Sequence, residues 1–470
     1  MLPLLLVTDE PARDALSPRG FLLLVPPLVL LGLLVVFRTW NVVWGDGVSM
    51  CPIFDKFYRS TLTFSDLWEP YQGHRIFFHR ALELLLGWAT HWNVNVEIGF
   101  VYVTFVSDFC LLCWLLQDLP STVSVRVRMI LAMMISLSVF SASQLEIWTN
   151  GFNIGMALSA FSVVTGLTIL AKFGPRFWAL LGCIAAGVVA SYSFGNGIVY
   201  WGALVPLLYC KLRNDPRWLG KSVLWATAAA TTILFYFYRL GGTGGPTPLG
   251  QAVLNSFRMP GTFLRYLLTC AGADIFFLNG AKANLPVNVR LLVACGAPIC
   301  GLAGLVALGW SVWRLSRRAN SDWTSAAPWL SLGLYGVFSV GTIAITRYTF
   351  LPESAISSRY ILFSQYLWLS LFVLLALLSP RLSRGWWWMM GGILTVCYLI
   401  SYGNGLRRAR EISSQLRQIR MELLSQPTEQ TYHLINPNRD PAQVASFMEM
   451  NRHSRLATFE DAAVLPTGSR

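Results

Sequence analysis

Charge is scarce in this sequence. Asp and Glu together number 23 in 470 residues, and all charged residues amount to 13%, where a soluble domain carries about 25%. With 54% hydrophobic residues and a mean hydropathy of +0.52, a soluble globular domain is excluded and a polytopic membrane protein remains. Strict apolar–polar alternation is also missing. Lipid admits only helices and closed barrels, and unbroken apolar runs of roughly 17–22 residues select helices. Histidine is rare (5 residues) and the 9 cysteines are scattered, most of them inside apolar runs. Cys110 and Cys113 form a CxxC, but within an apolar helix and without further ligands, so they read as small core residues. Neither a zinc site nor a disulfide framework is indicated.

What is abundant is positive charge, +13 net. Nucleic acid is not the implied partner, because much of the excess sits in short loops between apolar runs, where it sets membrane topology. The opening MLPLLLVT is too short for a secretory signal and is followed by Asp9, Glu10 and Asp14, so the first span is expected to begin near Phe21.

The fold class expected is an all-α polytopic membrane protein. Spans are predicted near 20–37, 98–117, 128–145, 153–171, 177–194, 197–210, 222–238, 289–312, 325–345, 361–379 and 386–402, about eleven in all at the length a bilayer requires. Loops 118–128, 172–176, 211–221, 314–318 and 380–385 hold the clustered Lys and Arg, among them Arg126, Arg128, Lys172, Lys211, Arg217, Arg317 and Arg384. All of these fall on one side together with residues 1–19, and the positive-inside rule makes that side cytoplasmic. Residues 20–402 then form the transmembrane domain of a plasma (inner) membrane protein. The other side receives two long loops, 38–97 and 239–288, and a tail, 403–470. Length and polar variety are concentrated outside, so function is expected to face outward.

The first long loop is the most chemically varied stretch. Within Asp46 to Arg80 it gathers Asp46, Asp55, Asp66 and Glu69 beside Lys56, Arg59, His74, Arg75, His79 and Arg80. Residues 74–92 read as an amphipathic helix lying along the membrane surface. Phe77, Ala81, Leu84, Leu85, Trp88 and Trp92 recur at helical spacing, and Arg75, His79 and Glu83 share the opposite face. The second long loop opens with GGTGGPTPLG at 241–250, followed by an interfacial or re-entrant helix over Ala252–Ala271. In the tail, residues 407–425 have a charged helical pattern. After Pro427, Asn436-Pro437-Asn438 and Pro441 comes a second short helix, Ala442–Asn451, in what reads as a small appendage packed on the outer face.

Three short outer loops add polar groups at the membrane border: Gln144, Glu146, Trp148, Asn150 and Asn153; Tyr192 and Asn196; and Arg347, Glu353, Arg359 and Tyr360. Ionisable residues at a bilayer edge are costly and mark function, and their recurrence favours one shared site. Asp108, inside the second span, has no assigned role. A carboxylate at the outer membrane edge, with Arg and His nearby, suits transfer from a lipid phosphate to a hydroxyl or amide, taking the acceptor's proton as general base, while cations stabilise the departing phosphate. Arg grips phosphate bidentately, which favours Arg75, Arg80, Arg347 and Arg359. Trp and Tyr offer faces for sugar rings.

This arrangement resembles the C-type (GT-C) membrane glycosyltransferases, whose hallmark is an acidic residue in the first extracytoplasmic loop followed by interfacial helices. Asp46, in Trp44-Gly45-Asp46-Gly47, occupies the matching position, although many relatives carry two adjacent acidic residues there. More narrowly the chain is similar to a group of bacterial integral membrane proteins. Three segments carry that likeness: Leu67-Trp68 with His74-Arg75; Gln144, Glu146, Gly151 and Phe152; and Ser358-Arg359-Tyr360. The resemblance implies a polyprenyl-phosphate-linked sugar donor, inversion at the sugar and Asp46 as base. It further implies Arg75, His79, Arg80 and Arg359 at the donor phosphate, and His74, Gln144, Glu146, Trp148 and Tyr360 at the acceptor or sugar. Glu146 or Asp55 would orient the acceptor or a metal; some members of the superfamily use a divalent cation, though no ligand cluster in this sequence demands one. The alternatives are a glycan polymerase or ligase relying on Arg and His, a transporter or flippase, and a non-catalytic scaffold. Transporters favour internal repeats and midplane charges, whereas here no repeat is evident and the polar residues gather at the outer border.

Overall fold

The computed structural model describes residues 24–240, 249–275, 287–317, 320–349, 352–378 and 384–460. Among these residues the regular structure is helical, and the one isolated β-bridge joins Tyr71 and His74. In chain order, α1 (Val25–Arg38) leads to a 3₁₀ turn (Gly45–Met50), α2 (Cys51–Tyr58), α3 (Phe64–Trp68) and α4 (Phe77–Thr90). There follow α5 (Val94–Leu116), α6 (Val125–Val139), α7 (Leu145–Thr149), α8 (Ile154–Phe173) and α9 (Phe177–Ser193). Next come α10 (Tyr200–Ala203), α11 (Val205–Leu212), α12 (Trp218–Phe237), α13 (Leu249–Arg258) and α14 (Pro260–Gly272). The chain continues with α15 (Val287–Ser316), α16 (Asn320–Arg347), α17 (Ser358–Leu378), α18 (Arg384–Leu424), α19 (Glu429–Ile435) and α20 (Pro441–His453).

The chain is an all-α polytopic membrane protein. Among the described residues 7 helices are long and apolar enough to cross a bilayer, against the about eleven spans expected, with Val25–Arg38 and Phe177–Ser193 shorter apolar helices. Three segments differ in form from the sequence reading. The predicted span 197–210 is divided into a 3₁₀ turn (Gly195–Val199), α10 and α11. Glycines loosen its start, and Pro206 sits in the first turn of α11, where its missing N–H breaks no bond. The helix expected over Ala252–Ala271 is split at Pro260, because the residue before a proline is driven out of helical geometry and Met259 has φ −128° and ψ 57°. Conversely, the last span and the charged helix of the tail are one helix of 41 residues, α18. Gly403 and Gly405 lower helix propensity by only about 1 kcal/mol each relative to Ala, too little to stop it. The segment 241–248, residues 1–23 and the Glu353 side chain lie outside the described residues.

Close helix packing positions the rest. α14 and α15 cross at Gly272 and Gly301, where a Cβ would lie 1.9 Å from the Ala297 and Leu268 carbonyl oxygens respectively; only glycine lets the two backbones approach so nearly. At one end of the bundle, Lys172 donates to Asp118 and to the Trp114 carbonyl, each at 2.7 Å, and Lys211 donates to the Ala171 carbonyl at 2.7 Å. Three of the basic loops therefore meet.

Helix α4 carries the opposite burial pattern to a soluble helix. His79, Arg80, Glu83 and Leu84 are buried, while Leu85 and Trp88 are 58% and 61% exposed. Its charged face looks into the protein and its apolar face outward, as a helix resting on a bilayer requires.

Candidate functional site

Asp46 is held by a turn that needs glycine. Gly45 has φ +60°, and Ser49 Oγ donates to the Asp46 carbonyl at 2.7 Å, closing the 3₁₀ turn. Trp44 Nε1 ties the turn to the Thr149 carbonyl at 3.1 Å. Behind it lies a cavity of about 10 Å³ lined by Gly47, Glu83, Glu97 and Asn150 among others, about the size of one water.

Two further groups reach the Asp46 carboxylate. Tyr71 Oη donates to Oδ1 at 3.2 Å, and Arg359 Nη1 donates to Oδ2 at 3.4 Å. Tyr71 is aimed by a tight turn: Tyr71 and His74 exchange backbone hydrogen bonds of 2.7 and 2.9 Å. The residues between them, Gln72 and Gly73, have φ +48° and +78°, the signature of a type I′ turn. Burial, then the negative charge of Asp46, pushes the Tyr71 phenol up to about 12, so it is a neutral donor at pH 7. The same turn directs His74 against Gly195, where a Cβ would sit 2.4 Å from Nδ1, and 5.7 Å from the Phe194 ring. Burial, then Arg347, depresses the His74 imidazole to about 4, so it is neutral too.

Arg359 joins two carboxylates. Its Nε lies 3.7 Å from Glu146 Oε2, and the Arg359, Asp46 and Glu146 side chains are 31%, 30% and 36% exposed, so the group opens to solvent. Glu146 is placed by its backbone: its N–H donates to Ser358 Oγ at 3.2 Å, and Asn153 Nδ2 donates to its carbonyl at 2.7 Å. Ser357 Oγ lies 3.5 Å from both Glu146 carboxylate oxygens. The buried Tyr360 ring has two guanidiniums beside it, Arg359 Cζ at 5.3 Å and Arg347 Cζ at 5.6 Å from its centroid, both within cation–π range.

The structure therefore brings together Asp46, Glu146, Arg359 and Tyr360 of the residues singled out from sequence, with His74 close enough to feel the charge of Arg347. It engages the others elsewhere. Arg75 is buried, donates to the carbonyls of Trp68 (2.7 Å), Tyr236 (2.9 Å) and Tyr238, and lies 4.9 Å over the Trp68 ring. It caps the C-terminal ends of α3 and α12, where the helix dipole favours a cation. Arg80 donates to the carbonyls of Asp66, Leu67 and Glu69. His79 pairs with Glu83 at 2.8 Å and packs 4.4 Å from the Phe152 ring. Gln144 is fully buried on Gln365 (2.6 Å) and the Ser138 carbonyl, and Trp148 is fully buried on the Ser141 carbonyl. Asp55 pairs with Arg59 at 2.9 Å, and Asp108 accepts from Tyr366 at 3.3 Å. Tyr71 and the tail residues Asn436 and Arg439 were not singled out from sequence. Gln72-Gly73 was the signal for the Tyr71 turn, and for the tail residues there was none.

Among the described residues no three His, Cys, Asp or Glu side chains converge as a metal-holding group. Two carboxylates with phosphate oxygens are a donor set that Mg²⁺ takes, but here the cation between Asp46 and Glu146 is Arg359, so the residues do not fit a resident divalent ion.

No protein-family model matches the sequence. No curated protein matches it either. Two solved structures of an archaeal oligosaccharyltransferase from Archaeoglobus fulgidus are similar to it. One is AglB in complex with an inhibitory peptide and a dolichol-phosphate (14% identity, TM-score 0.43) and the other is the apo form (12% identity, TM-score 0.45). Each comparison covers 90% of this chain and 60% of the solved one, so the chain spans less than two thirds of their length.

Proposed function

We propose that this protein is an integral-membrane glycosyltransferase of the GT-C type. It would transfer a sugar from a polyprenyl-phosphate donor to a hydroxyl or amide acceptor on the extracytoplasmic face of the plasma membrane. The observation that carries the reading is the Asp46 carboxylate, in the loop after the first apolar helix, paired with Arg359 and within a group that includes Glu146 and two guanidiniums on Tyr360.

In this reading Asp46 accepts the acceptor's proton. Its oxygens each receive one hydrogen bond, from Tyr71 and Arg359, which leaves lone pairs free for a third. As the acceptor atom bonds to the anomeric carbon, the bond from that carbon to the phosphate oxygen breaks. The phosphate leaves with the electron pair, and the sugar inverts. Arg359 and Arg347 hold that phosphate and stabilise its growing charge. Glu146 orients the acceptor and keeps Arg359 in place. Tyr360 backs both guanidiniums. Arg75, Arg80 and His79 act by fixing the loop.

The test is sugar transfer from a panel of synthetic polyprenyl-phosphate sugars by purified protein and its Asp46→Asn variant. Turnover by the wild type that is lost in a folded variant is expected. Equal turnover by both moves the base away from Asp46, and specific binding without turnover by either shifts the reading to transport.

A further inference from the structure

The C-terminal tail is built onto the Asp46 turn. α18 carries the chain out of the bundle without a break, α19 folds back onto α18, and α20 packs on α2 and the 3₁₀ turn. Ile435, Val444, Met448, Leu456 and Phe459 are buried, so the tail shares the core of the first long loop. Polar bonds pin it at both ends of that loop: Thr458 Oγ1 donates to the Asn41 carbonyl, and Ala457 N–H donates to the His91 carbonyl at 3.0 Å. Between them, Asn451 Nδ2 contacts Cys51 Sγ at 3.4 Å.

The turn between α19 and α20 bears directly on the site. The nearly buried Asn436 donates through Nδ2 to the Gly45 carbonyl at 2.8 Å, the residue before Asp46. Its Oδ1 accepts from Asn438 N–H at 3.0 Å, and its carbonyl accepts from Arg439 N–H at 3.2 Å. This fixes the turn with Arg439 as its last residue. The half-buried Arg439 side chain lies 5.7 Å from the Phe447 ring and near the Tyr71 hydroxyl, which donates to Asp46. Asp46 is thus flanked by Arg359 at Oδ2 and, through Tyr71 at Oδ1, by Arg439.

Charge shows why this matters. Asp46 and Glu146 against Arg359 alone leave one unit of negative charge, which repels a phosphate. Arg347 beside Tyr360 and Arg439 beside Tyr71 are cations placed to offset it. We propose that Arg439, delivered by the C-terminal tail, is a phosphate-binding residue of this site and cradles the lipid-linked phosphate together with Arg359. The assignment rests on the donor reading above.

The experiment measures binding of a short-chain polyprenyl monophosphate to the purified full chain in detergent. It compares wild type, Arg439→Gln, Arg439→Lys, Arg359→Gln and the tail control Arg408→Gln, whose side chain pairs with Glu411. Limited proteolysis of the 425–428 linker reports whether the tail stays seated in each. Loss of one charge-assisted hydrogen bond predicts a Kd raised about 10-fold or more by Arg439→Gln, substantial recovery by Arg439→Lys, and no change by Arg408→Gln. Wild-type affinity in Arg439→Gln, with binding lost in Arg359→Gln, overturns this assignment and leaves the donor reading standing. Equal weakening by Arg439→Lys and Arg439→Gln, with the linker newly cleaved in both, overturns it in favour of a purely structural tail. No binding by the wild type overturns both readings. Displacement of the probe by inorganic phosphate at equal concentration overturns the lipid assignment and leaves a free-phosphate site.

Discussion

Asp46 and Arg359 are 313 residues apart in sequence and 3.4 Å apart in space, and the same guanidinium lies 3.7 Å from Glu146. One cation therefore serves two carboxylates, each about a third exposed. Asp46→Asn keeps the shape of the side chain and removes the base. Turnover should fall by about 10²–10⁴-fold with monodisperse elution and thermal midpoint nearly unchanged. A variant that turns over normally would remove Asp46 from the chemistry.

Arg75 should behave in the opposite way. It holds three backbone carbonyls at the ends of two helices while buried, and truncating a buried charged donor leaves those acceptors unpaired. Arg75→Ala should lower stability by about 2–4 kcal/mol, read as a drop in the detergent unfolding midpoint. The folded fraction should bind polyprenyl monophosphate with wild-type affinity. Weakened binding in folded Arg75→Ala would return Arg75 to the phosphate site.

His74 sets a pH dependence. Its folded value is near 4 against an ordinary 6.5, through burial and then the facing Arg347. Between these values the unfolded chain binds more protons than the folded one, so stability rises with pH. The His74 contribution is complete above about 6.5 and is lost as pH falls toward 4. Thermal midpoints from pH 4 to 7 should show this slope in wild type and a shallower one in His74→Gln. Equal slopes would place the titration elsewhere.

Gly45 and Gly73 test the two turns. Both have positive φ, +60° and +78°, where a side chain is strained by about 1 kcal/mol. At Gly73 a Cβ meets open space, whereas at Gly45 it lies 3.2 Å from Asn150 Nδ2. Gly73→Ala should therefore show the strain alone. Gly45→Ala should also displace Asp46 and reduce turnover more than its loss of stability explains. Paired measurements of kcat and unfolding midpoint separate these outcomes.

Span-forming segments were legible in sequence because lipid imposes a local rule: a run of apolar residues must satisfy its own backbone. The surface helix at 77–90 was legible for the same reason, through the spacing of Leu85 and Trp88 against His79 and Glu83, although Leu84, expected on the apolar face, is buried with the charged one. Pairing of side chains was less so. Arg75, Arg80 and Arg359 are alike as residue types, and sequence assigned all three to phosphate. The structure spreads two of them over backbone carbonyls of helix ends and leaves Arg359 facing carboxylates, a difference of environment with no local signature.

The sequence alone determined that this chain is a bundle of apolar helices, with polar chemistry gathered in the loops of one border and Asp46 in the first of them. Composition and periodicity suffice for that, since burial in lipid is decided residue by residue along each segment. Only the tertiary structure decided that Asp46 meets Tyr71 and Arg359, that Arg359 also lies against Glu146, that Arg347 and Arg359 share Tyr360, and that the tail brings Asn436 to Gly45 across 391 residues. Those meetings depend on how the helices pack and where the chain returns, and electrostatic partners act through distance in space, which the order of residues does not encode.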